Sequence, residues 1–411
     1  MMINNSNIKK NYFWNTVGTT LLSFNSLFFM IIVTRINGIE DAGIFSFSFA
    51  SACIINVIAL YCGRTYQIAD DNSIIKESDY IISRFFTSIF ALFITICFVF
   101  INHYDIYKSS IFMLLCTLKC IEALSDVYYG VIQKKDKLFI VGKSLTFKSL
   151  VGLIGFFIID FFTNSVIISC VFLVVLNFVY LVFYDIKNAH KETKIVYEFN
   201  INRIKRLLTV SMSTFLFTLI LLVVINIPRY IIDVYLNDSA QAIYGILSMP
   251  ATFIMLFGQF ILQPSLLNLS IHYKNRDLKQ FNRTIFLLCG IILASLIIVL
   301  PITYVIGIPV LNLIYGIELE PYTLLLILVI VGAALYAASN VILNALITLH
   351  CTHEQLILQI FTLIFSLIVS VLLVKNFGLQ GSIISYFAIL SIQFVLYVLL
   401  YKYTIKKKFI I

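Results

Sequence analysis

Apolar runs of about 20 residues recur from one end of this chain to the other, the length at which a helix crosses a hydrocarbon core of roughly 30 Å. Stretches such as Leu296 to Leu300 and Leu324 to Val331 are apolar at every consecutive position. They lack the alternation that a membrane-spanning strand needs. Hydrophobic residues make up 61% of the 411 positions and charged residues 12%, where a soluble domain carries about 25% charge; the mean hydropathy is +0.99. No water-soluble fold can cover so much apolar side chain. The fold class that follows is an all-α integral membrane protein of about twelve transmembrane helices.

Charge and turn residues bound the spans at Tyr12 to Val33, Ala42 to Cys62, Tyr80 to Ile101, Ser110 to Gly130, Ser149 to Phe162 and Ser165 to Tyr184. Six more run over Leu207 to Ile227, Ala242 to Leu266, Thr284 to Val305, Tyr322 to Leu349, Gln355 to Val374 and Leu379 to Tyr401. The longest connection, Asp185 to Arg206, falls near the midpoint. The expected organisation is an N-terminal six-helix lobe over 1–190, a linker over 191–206 and a C-terminal six-helix lobe over 207–411. A short parallel between Thr34-Arg35 before Ala42-Gly43-Ile44 and Pro228-Arg229 before Ala242-Ile243-Tyr244 fits two repeated halves, an arrangement transporters use.

The 29 lysines and arginines are distributed very unevenly over these loops. All but five fall on one side, Arg84 and Lys148 counted among them. Arg35, Lys108, Arg229 and Lys375 lie on the other side, and Lys119 lies within a span. By the positive-inside rule both termini face the cytoplasm, and the basic N-terminal Lys9 and Lys10 precede a first span that remains uncleaved. The net charge of +9 thus reports topology rather than nucleic-acid binding. Opposite loops are short, and no soluble domain of foldable size is present.

Eight cysteines lie in or beside apolar segments without a C-x-x-C pair, from Cys53 and Cys62 to Cys351, which gives neither a disulfide framework nor a zinc site. His350-x-x-His353-Glu354 resembles part of a metal motif, but it sits in a short turn with no third ligand, so no metal is expected. No G-x-x-x-x-G-K-[ST] motif supplies a nucleotide motor, and no cofactor is expected.

Charges inside spans each cost roughly 2.5–3.5 kcal/mol at the bilayer centre and need a reason to be there. In the fourth span Lys119, Glu122 and Asp126 share one helical face at i, i+3 and i+7, so Lys119 can pair with Glu122. Two readings stay open: an ion pair locking helices, or a face lining a transport path with Glu122 or Asp126 available to protons or sodium. Arg35, Arg64 and Arg229 stand at span ends, where they either snorkel to headgroups or present guanidinium forks to an anion such as a pyrophosphate. Asn15, Thr19, Ser23 and Ser26 form a polar stripe along the first span that should avoid lipid. Gly332, Ala333, Ala337, Ser339, Asn340 and Asn344 give the tenth span a small-residue patch for close packing, with amides as interhelical donors. Pro250 and Pro264 mark either bends or ends of the eighth span.

The run Lys10-Asn11-Tyr12-Phe13-Trp14-Asn15-Thr16 through Phe24-Asn25-Ser26-Leu27-Phe28-Phe29 is followed by Val33-Thr34-Arg35-Ile36-Asn37-Gly38 and Asp41-Ala42-Gly43-Ile44-Phe45. Tyr61-Cys62-Gly63-Arg64-Thr65-Tyr66-Gln67 closes it. This segment resembles the start of bacterial Wzx-type polysaccharide repeat-unit flippases, a group similar to the wider multidrug and polysaccharide exporter superfamily. The resemblance covers about the first 70 residues. It implies two six-helix bundles around a central cavity, alternately open to either side, in the bacterial cytoplasmic membrane. The implied substrate is an undecaprenyl-pyrophosphate-linked oligosaccharide, with membrane lipids and a polysaccharide polymerase as partners. Arg35 and Arg64 match by placement the arginines that related lipid flippases use for the pyrophosphate. The acidic pair Glu40 and Asp41 would gate or orient them, and Arg229 is a topological counterpart.

Two rivals remain at this level. An ion-coupled exporter of drugs or small molecules would share the fold, but the cationic span ends of the first lobe suit an anion better. A membrane-embedded polymerase or ligase acting on the same lipid-linked units would need a sizeable outer loop, so a non-enzyme is expected.

Overall fold

The computed structural model describes residues 5–61, 63–69, 75–349 and 351–409; Cys62 and His350, named above, lie outside them. Among the described residues there is no strand. By its internal contacts the chain separates into two units, Met1–Leu219 and Ile220–Ile411. The first contains α1 (Asn5–Ile36), α2 (Ile39–Leu60), the short α3 (Gly63–Ala69), α4 (Glu77–Ile101), α5 (Ile106–Gln133), α6 (Leu138–Thr163) and α7 (Val166–Tyr180). A π-helical turn, Leu181–Ile186, joins α7 to α8 (Lys187–Glu192). The division between units falls inside α9 (Ile201–Tyr235). Beyond it come α10 (Asp238–Lys274), α11 (Leu278–Ile302), α12 (Ile308–Tyr315), α13 (Thr323–Thr348) and α14 (Thr352–Phe409).

Among the described residues ten stretches are long and apolar enough to cross a membrane. One of them, Thr352–Lys407, is two helices joined at Gly378, whose φ of 58° and ψ of −134° turn the chain. Only glycine adopts such a backbone readily. With α5, whose 28 residues carry Lys119, Glu122 and Asp126, the described residues hold twelve helices of crossing length. The protein is a multi-pass membrane protein.

Side-chain placement follows the same logic. On α4 the buried face is Ser83, Arg84, Thr87, Ser88, Ala91 and Thr95, while Phe85, Ile89, Phe93, Ile96 and Phe100 are exposed by 49–78%. A helix with its polar and small residues inside and its large apolar residues outside is built for a lipid solvent. Helix ends are closed by side chains that satisfy the first free amides. Asp105 accepts from the Lys108 amide at 2.9 Å at the start of α5. Asn237 accepts from Ala240 N at 2.9 Å before α10, and Asp277 from Gln280 N at 3.0 Å before α11.

Several boundaries differ from the sequence expectation. The fifth crossing helix begins at Leu138, not Ser149, so Lys143 and Lys148 are helical. The helix of the sixth crossing continues to Glu192, which removes Asp185 from the connection read as Asp185 to Arg206. Pro228, Pro250 and Pro264 all lie inside continuous helices. Small residues set the closest approaches: a Cβ on Gly142 would lie 2.3 Å from the Trp14 backbone, so α1 and α6 touch backbone to backbone. In the second unit a Cβ on Gly258 would lie 2.8 Å from Ala337 Cβ, where the small-residue patch of α13 packs on α10. One amide of that patch, Asn344, donates within its own helix, to Asn340 O at 2.8 Å.

Candidate functional site

The first unit contains a partly open cavity of about 210 Å³ whose largely apolar lining carries a set of charged and polar side chains. Helices α1, α2, α3, α5, α6 and α7 all contribute. Its charged lining is Arg64, Glu122, Asp126 and Lys148, and Asn25, Asn56, Tyr129 and Asn177 add polar groups.

Arg64 stands one residue into α3, which is fastened by Gln67. The Gln67 amide donates to Val127 O at 3.2 Å and to Glu77 Oε2 at 2.8 Å. Arg64 Nε lies 3.7 Å from Asp126 Oδ1, and Arg84 Nη2 lies 3.8 Å from Asp126 Oδ2. Both separations exceed a hydrogen bond. Arg84, whose side chain is 1% exposed, also donates to Leu60 O at the end of α2. One helical turn from Asp126, Glu122 is held tightly by Lys119 at 2.7 Å, the i, i+3 pair expected from spacing, and the ammonium also stands 5.0 Å from the Phe49 ring centre.

A second charge cluster borders the cavity. Lys148 Nζ donates to Asp185 Oδ2 at 2.6 Å, Ser125 Oγ at 2.9 Å and Tyr129 OH at 3.0 Å. Asp185 also accepts from Ser144 Oγ at 2.6 Å and Tyr129 OH at 3.2 Å. Its position at the end of the π-helical turn is what aims it inward; such turns recur at functional sites. Counting Arg84 and Lys148 with the loops is therefore corrected. Both are interior: Arg84 lies on the buried face of α4, and Lys148 lies inside α6, which begins eleven residues before Ser149.

The other expected residues lie elsewhere. Arg35 and Glu40 are exposed at the α1–α2 turn, and Asp41 accepts from Tyr107 OH at 2.9 Å. Arg35 and Arg64 stand at opposite ends of the 22-residue α2, about 33 Å apart along its axis. Arg229, in the second unit, places its guanidinium 5.1 Å from the Tyr244 ring centre. The carbonyl of Arg229 accepts from the buried Gln241 amide at 2.6 Å. On α1 the cavity takes Thr19 and Asn25. Asn15 lies at the tight α1–α6 crossing, and Ser23 is exposed with its hydroxyl bonded to Thr19 O at 2.8 Å. Sequence reasoning missed Arg84, Lys148 and Asp185. One signal was available: a fifth span of Ser149 to Phe162 is too short to cross roughly 30 Å of hydrocarbon, so the helix had to run back through Lys148.

No family model matches the sequence. The inward-facing form of a multidrug resistance MATE family transporter of the MOP superfamily superposes with a TM-score of 0.71 at 13% identity, covering 96% of this chain and 99% of that one. The fold is that of the MOP-superfamily transporters. The lipid II flippase MurJ, in its inward closed conformation, matches with a TM-score of 0.65 at 14% identity over 94% of this chain and 87% of its own. In sequence, the capsular polysaccharide biosynthesis protein CapF of Staphylococcus aureus is 21% identical over 383 residues, 91% of this chain and 94% of that protein. The fold is shared by a multidrug resistance transporter and a lipid II flippase.

Proposed function

We propose that this protein is a flippase that moves undecaprenyl-pyrophosphate-linked oligosaccharide repeat units from the cytoplasmic to the outer leaflet of a bacterial cytoplasmic membrane by alternating access, with both termini cytoplasmic. The observation that carries the reading is Arg64. It lines an intramembrane cavity, and its ion pair with Asp126 is too long to occupy its donors. A guanidinium fork facing a cavity suits a phosphate oxygen pair better than a cationic drug. The similarity to CapF and the shape shared with a lipid II flippase support the same substrate class. A polysaccharide polymerase receiving the delivered units is the partner this role implies.

The second reading is an ion-coupled exporter of small molecules, favoured by the acidic Glu122 and Asp126 in the cavity lining and by the likeness to MATE transporters. Depleting the protein and following lipid-linked repeat units on each leaflet separates the two. The flippase predicts accumulation on the cytoplasmic leaflet with loss of surface polymer. Normal surface polymer with altered efflux of small molecules selects the exporter. Unpolymerised single units reaching the outer leaflet would point instead to a polymerase or ligase.

A further inference from the structure

We infer that Asp126 is a built-in counter-anion that occupies the phosphate position beside Arg64 and is displaced when the lipid-linked diphosphate enters, which makes it a positioning and specificity residue of the site. The inference rests on the flippase reading and deepens it.

Four charged side chains line the cavity, and they differ in how firmly they are held. Lys148 spends its three N–H groups on Asp185, Ser125 and Tyr129, all within 3.0 Å. Glu122 is bonded to Lys119 at 2.7 Å. Neither can turn toward a ligand without breaking short, charge-assisted bonds. Arg64 and Asp126 are different: they face each other at 3.7 Å with side chains 26% and 23% exposed. Asp126 offers its other oxygen to Arg84 at 3.8 Å. A carboxylate bracketed by two guanidiniums but in hydrogen-bond contact with neither occupies the place that a phosphoryl group would take.

An internal anion of this kind has two effects. It neutralises Arg64 while the cavity is empty, lowering the cost of a cation within the bilayer. It also competes with any incoming anion, so only a ligand with more negative charge and more acceptor oxygens than a carboxylate displaces it. A diphosphate meets that condition, and monoanionic lipid headgroups meet it less well. This is selection by a repulsive element as well as an attractive one.

The test is equilibrium binding of inorganic pyrophosphate to the purified full-length protein in detergent. Asp126→Asn removes the competitor while keeping the shape, so pyrophosphate should bind about five- to tenfold more tightly. Asp126→Glu, which restores the charge, should return toward the wild-type affinity. A gain of affinity is not what local damage produces. Arg64→Ala serves as the reference, expected to weaken binding. If Arg64→Ala weakens binding but Asp126→Asn leaves it unchanged or reduces it, the counter-anion role is overturned and the phosphate reading survives. If Arg64→Ala leaves binding unaltered, or pyrophosphate does not bind the wild type, both fall.

Discussion

Lys148 Nζ lies 2.6 Å from Asp185 Oδ2 with the two side chains only 6% and 1% exposed, so α6 and the π-helical turn after α7 are joined by a buried ion pair. Removing one member leaves a charge stranded in a low-dielectric interior, at a cost of about 3–5 kcal/mol, whereas removing both is often nearly neutral. Lys148→Met and Asp185→Leu should each destabilise the protein by that amount, and the double variant should recover most of it. Thermal unfolding of the purified protein through a double-mutant cycle measures this. Single variants that each cost less than about 1 kcal/mol would show that the pair is not a structural lock.

Arg35 and Arg64 should fail in different ways. Each of Arg35→Ala and Arg64→Ala is expected to impair transport while the protein stays in the membrane, since neither removes apolar surface. With the whole of α2 between them, one diphosphate cannot touch both in this conformation. Arg64→Ala should therefore weaken pyrophosphate binding about tenfold or more, the worth of a charged hydrogen bond, and Arg35→Ala should weaken it less. Equal losses in a binding assay would place both arginines on one bound diphosphate.

Two glycines should answer alanine with opposite signs. At Gly142 the added Cβ would meet backbone atoms of Trp14 at 2.3 Å, and backbone cannot step aside. Gly142→Ala should cost about 1–3 kcal/mol through overpacking. At Gly290, in the middle of α11, nothing lies within 4 Å of the new methyl. Gly290→Ala should stabilise by up to about 1 kcal/mol from helix propensity. Unfolding temperatures of the two variants in the same detergent check the pair of signs.

Between α8 and α9 the chain is pinned by Glu198, which accepts from Lys76 Nζ at 2.8 Å and lies 3.5 Å from Arg203 Nη2. The hydrogen bond from Lys76, followed by its charge, holds the Glu198 carboxyl below its ordinary range. A lowered acid stabilises the fold at pH above the usual carboxylate value, about 4.3, and the contribution is lost as the pH falls through the lowered one. Limited proteolysis should cut residues 193–200 more slowly at pH 7 than at a pH taken well below the usual carboxylate value. Glu198→Gln should abolish the difference. Unchanged cleavage across that range would remove the ion pair as the cause.

The crossing helices were legible because lipid imposes a length and an apolar composition that any sequence must display. The Lys119–Glu122 pair was legible because i, i+3 spacing on one helix is a local relation. Arg84, Lys148 and Asp185 were not, since charge was read as a mark of the loops and each of these side chains is paid for by partners far away in the chain. Lys148 depends on Asp185, 37 positions on, and no periodicity reports such a partner.

By itself the sequence determined the solvent, the all-helical class and about twelve crossings, because the bilayer requires internally bonded backbones and about 20 apolar residues per span. The tertiary structure alone decided which polar groups meet. It set Arg64 beside Asp126 at a cavity, closed Lys148 onto Asp185, and left Arg35 a helix length away. Those outcomes follow from helix rotation and packing, in which a shift of one residue turns a side chain by about 100°.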